Sequence, residues 1–169
     1  MKKALFIFLV VLSVKSYSQN CNSIKKKIDK FDGTITYSTP LILHGSRGLG
    51  AIRPPYLMAS KSFTKTDTVY ALSLVTTGAS LNAQAKGATL LLSDGTQIPR
   101  PDASVSIKPS TNYGWEYTVS IALTRGEIDN LLKNSLTDFK IDIFEGNISP
   151  QRQSEFSEYL KCLKVLLPN

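Results

Sequence analysis

The sequence predicts an α+β domain: a mainly antiparallel β-sheet or sandwich, a short helix near residues 125–134, and a C-terminal helix. Two observations predict this class. Several segments alternate apolar and polar residues with the period of two that a half-buried strand requires, and hairpin signals such as Asp94-Gly95 join them. In addition, too few helices lie between the strands to provide the crossovers of a parallel sheet.

The strand pattern is clearest in WEYTVSIAL, where every second residue from Trp115 to Leu123 is apolar and would share one face. In LTDFKIDIF, the residues expected to share one face are Phe139, Ile141 and Ile143. The other predicted strands are TITYST, TVYALSLVT, ATLLLSDGTQI and ASVSI.

Two segments are harder to assign. CNSIKKKIDKF fits a helix as well as a strand that leads into a turn at Asp32-Gly33. Residues 41–58 contain three glycines and two prolines, which forbid a long regular element.

Both helices are predicted from signals at their N-termini. Thr124 and Glu127 have the spacing of a capping box, in which each side chain bonds the backbone amide of the other residue. Ser149 and Pro150 would begin the last helix as its N-cap and first helical residue. The apolar stripe of that helix consists of Phe156, Leu160, Leu163 and Leu167.

The N-terminus has the three parts of a secretory signal peptide. Lys2 and Lys3 form a positive region, and residues 4–14 form an apolar run too short to span a bilayer. Ser16 and Ser18 put small residues at the −3 and −1 positions of a cut before Gln19. We therefore predict a signal peptide at residues 1–18. Residues 19–169 are predicted to be a single exported β-rich domain, periplasmic or extracellular, with no transmembrane segment.

The charge of the predicted mature chain is modest. The full chain carries +7, and removing Lys2, Lys3 and Lys15 without any acid lowers this to +4. Such a value favours weak attraction to anionic surfaces over dedicated binding of nucleic acid. Two cysteines and one histidine make a poor metal-ligand set, and no cofactor fingerprint is found, so neither a metal nor a cofactor is expected.

The two cysteines lie at opposite ends of the predicted mature chain, Cys21 near its start and Cys162 in the last helix. An oxidising compartment permits a bridge between them, and two unpaired cysteines are the alternative. We predict the disulfide. It would close a loop of nearly the whole mature chain, which stabilises the fold by about 5 kcal/mol in the loop-entropy model.

Five stretches also carry a resemblance: DKFDG, GATLLLSDGT, YTVSIALTRGEIDNLL, DFKIDIF and EYLKCL. In this order they resemble a group of small exported bacterial proteins for which no activity is established, and the resemblance covers nearly all of the mature chain. It implies a single exported domain and assigns no functional residue.

The stretch HGSRGLG, which holds the only histidine, is the first candidate site. Its glycines do not open a helix, as a phosphate-binding loop requires, and the glycine that a nucleophile elbow needs two residues before Ser46 is replaced by His44. A plain surface loop is the favoured interpretation, and an anion site formed by Arg47, Arg53 and backbone amides is the alternative.

The aromatic residues at the start of the WEYTVSIAL strand are the second candidate. Exported proteins stack sugar rings on such side chains, and Tyr113 and Trp115 are the two placed to emerge from the sheet. The same face continues into apolar residues, so a role in the core is the favoured alternative.

Charged residues provide the remaining candidates. The basic run at Lys25, Lys26, Lys27 and Lys30 could contact anionic polymers or lipid headgroups, although a solvated face is the simpler interpretation. Asp138 and Asp142 flank Lys140 on one predicted strand, but nothing marks the pair of carboxylates across a cleft that glycoside hydrolysis needs.

These observations favour a non-catalytic exported module that binds or supports something in the cell envelope or outside the cell. Its partner would be an envelope polymer, a glycan or another protein. Two alternatives stay open: a small secreted hydrolase with a site built from loops, and a basic inhibitor or interaction protein. An enzyme would show a deep polar cleft lined by acids or hydroxyls.

Overall fold

A computed structural model describes residues 21–43, 56–110 and 114–168 of the chain, and it confirms the predicted α+β class. Two helices are found there, α1 (Arg125–Lys133) and α2 (Pro150–Val165), and a short 3₁₀ turn, Cys21–Ser23, precedes the first strand. The strands are β1 (Lys25–Ile28), β2 (Ile35–Ser38), β3 (Ile42–Leu43), β4 (Tyr56–Phe63), β5 (Thr68–Gly78), β6 (Lys86–Leu92), β7 (Gln97–Pro109), β8 (Trp115–Leu123), β9 (Leu136–Ile141) and β10 (Phe144–Asn147).

The strands described form one curled antiparallel sheet in the order β1-β2-β4-β5-β8-β7-β6-β9-β10, and β3 pairs with β4 outside this path. Helix α2 contacts β3 and β4 on one arm of the curl and β9 on the other, so it fills the concave side. Its residues Phe156, Leu160 and Leu163 are buried as predicted. Leu167 was expected on the same stripe, but it is 65% exposed because the helix ends at Val165.

Two hairpins follow from their turn residues. Gly33 follows Asp32 between β1 and β2 with φ of 77°, and Gly95 follows Asp94 between β6 and β7 with φ of 84°. Only glycine adopts such angles without a steric penalty. Each aspartate side chain also accepts the backbone amide two residues further on, which closes the turn.

The lysine-rich segment that fits either a helix or a strand is the edge strand β1, and all four of its residues are exposed. Lysines on a short edge strand hinder pairing with another chain, because each added strand would bring like charges together. This arrangement explains why so polar a segment is tolerated in the sheet.

Strand β7 is much longer than the predicted ASVSI segment. Residues 97–104 pair with β6, and residues 105–109 pair with β8. Pro99 and Pro101 lie in the first half, where no pairing with β8 continues, and prolines are tolerated at such an open edge. The Arg100 side chain spans the unpaired gap between β7 and β8. Its guanidinium donates to the Glu127 carboxylate at 2.6 Å and to the Ala122 carbonyl at 3.4 Å.

The predicted strand LTDFKIDIF ends earlier than expected. Phe139 and Ile141 are buried as predicted, but Asp142 turns the chain with φ of 54°. Aspartate is one of the few residues that adopt this left-handed conformation readily. Ile143 therefore lies at the tip of the β9–β10 hairpin and is 67% exposed, so its predicted place on the inner face is wrong.

The capping box at the start of α1 is confirmed. Thr124 Oγ1 accepts the Glu127 amide at 3.2 Å, and the Glu127 carboxylate accepts the Thr124 amide at 2.8 Å. Burial raises the pKa of Glu127, but the bonds from Arg100 and Thr124 outweigh this effect and hold the pKa below its ordinary value. Ser149 occupies the N-cap of α2, but its side chain makes no capping bond.

Thr124→Ala is expected to lower the free energy of unfolding by about 1 kcal/mol at neutral pH. The pKa of Glu127 is lower in the folded chain than in the unfolded chain. The stabilisation that Glu127 contributes is therefore present above its pKa in the unfolded chain, and it is lost as the pH falls through its pKa in the folded chain. Urea denaturation should show that Thr124→Ala lowers the free energy of unfolding less at about pH 3 than at pH 7. Thr66→Ala, in the exposed β4–β5 loop, is the control, and a pH-independent Thr124 penalty contradicts the assignment.

Candidate binding groove

Several predicted site residues lie outside the part of the chain that the structure describes. They are His44, Ser46, Arg47, Arg53 and Tyr113. The anion-binding interpretation of HGSRGLG and the role of Tyr113 therefore stay predictions.

Trp115 begins β8 and packs half-buried against the core, opposite Gly78 of β5 and Pro109 of β7. Tyr117 on the same face is fully buried, and its hydroxyl donates to the Ser80 carbonyl at 2.8 Å. The aromatic end of this strand thus contributes to the core. The sugar-binding role of Trp115 stays a prediction.

The predicted disulfide is confirmed. Cys21 and Cys162 are bonded, with Cα atoms 5.4 Å apart, and the bond joins the 3₁₀ turn before β1 to helix α2. Structural disulfides of this kind are typical of proteins in oxidising compartments. Neither helix of the described chain is long and apolar enough to cross a membrane.

The carboxylates singled out in the sequence make structural bonds. Asp138 accepts a bond from the Asn147 amide at 2.8 Å, and Asp142, which has left the strand, accepts one from Asn82 at 2.6 Å. No group of three histidine, cysteine, aspartate or glutamate side chains that could hold a metal occurs within residues 21–43, 56–110 and 114–168.

Two adjoining hollows form the candidate site, which we call the groove. One, of about 320 Å³, lies between strands β4 and β5, the start of α1 and the end of α2. The other, of about 390 Å³, lies beside the β4–β5 loop, and both are lined by Phe63 and Thr68. The charged residues that line the groove are Lys61, Lys65, Asp67, Arg125, Asp129 and Lys164.

Lys61 forms part of the groove wall and is the most unusual of these residues. It occupies an inward position of β4 and is only 4% exposed. Its ammonium donates to the Leu166 carbonyl at 2.7 Å and to the Lys164 carbonyl at 3.2 Å. These carbonyls belong to the C-terminus of α2, where backbone oxygens lack helical partners and the helix dipole favours a cation.

Aromatic rings surround the same ammonium. Its nitrogen lies 4.8 Å from the centroid of the Phe63 ring and 5.3 Å from that of Tyr70, within the range of cation–π attraction. Phe63 also packs edge-on against Tyr37, whose hydroxyl donates to the Leu167 carbonyl at 3.2 Å. The chain after α2 is thereby held against the sheet and forms one wall of the groove.

The charge at the groove rim is positive. Lys164 pairs with Asp129 at 2.7 Å, and Asp67 accepts the Thr68 amide at 2.6 Å. Lys65 and Arg125 are exposed and form no ion pair among the described residues, although the charge of Lys65 acts on the exposed Asp32 carboxylate. The charged residues that line the groove are thus four cations and two carboxylates, and this net positive charge beside the Phe63 ring suits an anionic ligand.

The groove and Trp115 lie at opposite ends of the sheet. Tyr70, at the groove, pairs with the last residue of β8, whereas Gly78 pairs with Trp115, its first residue. Eight residues of extended strand separate these two positions, a distance of roughly 27 Å. The two candidate sites cannot contact the same small ligand.

Sequence reasoning missed the groove because it missed β4. The signal was present in YLMASKSF, where Leu57 and Ala59 occupy alternate positions and Lys61 is the next residue in the same register. A lysine at an inward position of such a pattern needs buried oxygen partners. Its partners lie more than 100 residues further along the chain, so their identity is visible only in the fold.

No family model, no curated protein and no solved structure matches this chain.

Proposed function

We propose that this protein is an exported, non-catalytic binding module that holds an anionic polymer of the cell envelope or exterior in the groove. The observation that carries the proposal is the groove itself, with Lys65 and Arg125 exposed at its rim and Phe63 in its wall. Exposed cations attract anionic chains over distances of about 8–10 Å at ordinary salt, and ring faces add contact area.

Export is supported by two independent features. The N-terminal 18 residues have the pattern of a cleaved signal peptide, and the Cys21–Cys162 disulfide is of the kind that persists outside the reducing cytosol. The resemblance to small exported bacterial proteins points the same way.

A binding role is favoured over hydrolysis by the state of the carboxylates in the groove. Asp129 is paired with Lys164, and Asp67 accepts the Thr68 amide. A hydrolase that uses two carboxylates needs one to give and one to take a proton across the scissile bond. Each of the two hollows is lined by a single described carboxylate, so neither hollow presents such a pair. A basic inhibitor directed at another protein is the second candidate, since the same cations would serve it.

Charge reversal tests the proposal on residues 19–169. The groove variant combines Lys65→Glu with Arg125→Glu. The matched control combines Lys25→Glu with Lys27→Glu, which changes the net charge equally on the exposed edge strand β1. The wild type is expected to bind a soluble polyuronate and not a neutral glucan. The groove variant should bind the polyuronate about tenfold or more weakly, and the control within about threefold of the wild type.

Three results would overturn the proposal. The wild type could fail to bind any acidic polymer at low salt. It could bind the neutral glucan equally well. The two charge variants could lose affinity to the same extent, which would show that net charge rather than the groove is responsible.

A further inference from the structure

The Lys61 ammonium has bonding capacity left inside the groove. An ammonium has three N–H donors, and the carbonyls of Lys164 and Leu166 take two of them. No carboxylate lies within ion-pair distance of Lys61 among the residues that the structure describes. The side chain is nevertheless almost wholly buried, and a buried charge without a counter-ion is costly.

We propose that Lys61 binds a single oxyanion carried by a ring, such as the carboxylate of a uronic acid or a phosphate on a sugar. This inference deepens the proposed function and rests on it, because it names the unit of the anionic polymer that enters the groove. The oxyanion accepts the third ammonium donor of Lys61 and neutralises its buried charge.

The shape of the hollow around Lys61 favours one ring over a longer segment. Its volume of about 320 Å³ lies at the lower end of the range for small-molecule pockets. Phe63, which is half-buried, lines it, and an aromatic ring there suits the flat apolar side of a sugar ring.

Arg125 is the second recognition element. It is the first residue of α1, it is exposed, and it lines the same hollow as Lys61. Its guanidinium presents donors in a planar fork that matches carboxylate and phosphate oxygens. Because Lys61 and Arg125 line the same hollow, both cations attract an oxyanion that enters it, while the adjoining hollow receives the next residue of the chain.

The test uses small probes and the intact wild-type chain. Glucuronic acid, glucose 1-phosphate, glucose and inorganic phosphate are titrated while the ¹³C–¹H signals of the Lys61 side chain are followed by NMR. Both ring-borne anions are expected to shift these signals saturably, with dissociation constants about tenfold or more below that of glucose. Inorganic phosphate should bind more weakly than either, because it makes no ring contact. The order of the two acids distinguishes a carboxylate source from a phosphate source.

Variants test whether Lys61 and Arg125 contact the acid. Lys61→Gln should remove the preference for acid over glucose, and Lys61→Arg should restore part of it, which a purely structural role would not. Arg125→Gln should weaken binding of the acids about threefold or more without changing stability, and Lys133→Gln at the other end of α1 is the matched control. If Lys61→Gln does not fold, the wild-type NMR signals and Arg125→Gln decide the question.

The inference and the proposed function fail in different ways. If the polyuronate binds through the groove but the small acids leave the Lys61 signals unchanged, the inference is overturned and the binding module stands. If neither the polymer nor the small acids bind, both are overturned. Equal affinities for glucose and glucuronic acid would also overturn the inference.

Discussion

Replacing both half-cystines, in the variant Cys21→Ser with Cys162→Ser, is expected to lower the free energy of unfolding by about 4 kcal/mol. The bond joins residues separated by 141 positions, so it closes a loop that contains every strand described. In the chain-entropy model a loop of this length contributes about 5 kcal/mol. Urea denaturation monitored by circular dichroism measures the difference.

Without the disulfide, structure should be lost first at the N-terminal edge of the sheet. The turn Cys21–Ser23 and strand β1 bury no residue, and β1 pairs with β2 alone. Without the bond to α2, the amides of β1 should exchange with solvent at least about tenfold faster while those of β8 change little.

Reduction supplies the control for this experiment. Dithiothreitol should destabilise the wild type to the same extent as the double variant and leave the double variant unchanged. A loss of less than about 1 kcal/mol, or equal sensitivity of both proteins to the reductant, would contradict the structural role of the bond.

Gly78→Ala is expected to cost about 2–3 kcal/mol, the second largest effect. A Cβ at Gly78 would overlap the ring of Phe144, which stacks on Tyr117 with centroids 4.2 Å apart. Tyr117 is fully buried and cannot give way. The ring of Phe144 would have to leave its place against Gly78 and Tyr117, where β10 meets the end of β5 across the curl of the sheet.

A double-mutant cycle isolates the cause. In a Phe144→Ala background the same Gly78→Ala change should cost less than about 0.5 kcal/mol, because the clashing ring is gone. Gly126→Ala in α1, where a Cβ would meet no atom within 4 Å, should be neutral or stabilising by up to about 1 kcal/mol. Equal costs for Gly78→Ala in both backgrounds would show that the curl does not close on Phe144.

The features that the sequence predicted are those with local causes. Alternation identified β8, the dipeptide Asp94-Gly95 identified a hairpin turn, and the spacing of Thr124 and Glu127 identified the start of α1. The turn at Asp32-Gly33 belonged to one of two interpretations of its segment, and the structure confirms that one. Each depends on residues within a few positions of one another. The disulfide followed from cysteine count and position, because the chain has only two partners to join.

The features that escaped prediction depend on distant residues. Ile143 fits the alternation of its strand, but Asp142 turns the chain one residue earlier and bonds to Asn82, 60 residues away. The length of β7 depends on its pairing first with β6 and then with β8. The groove requires β4, α1 and the end of α2 to meet, and only the packing of α2 in the curl brings Lys61 to its carbonyl partners.

The most direct test of the binding groove is a map of amide chemical shifts of residues 19–169 during titration with a short oligouronate. We expect saturable changes in the amide shifts of residues 61–70, 125–129 and 164–168, and only small changes in those around Trp115 and along β1. Saturable changes confined to the Trp115 end of the sheet, or no changes at millimolar oligouronate, would contradict this expectation.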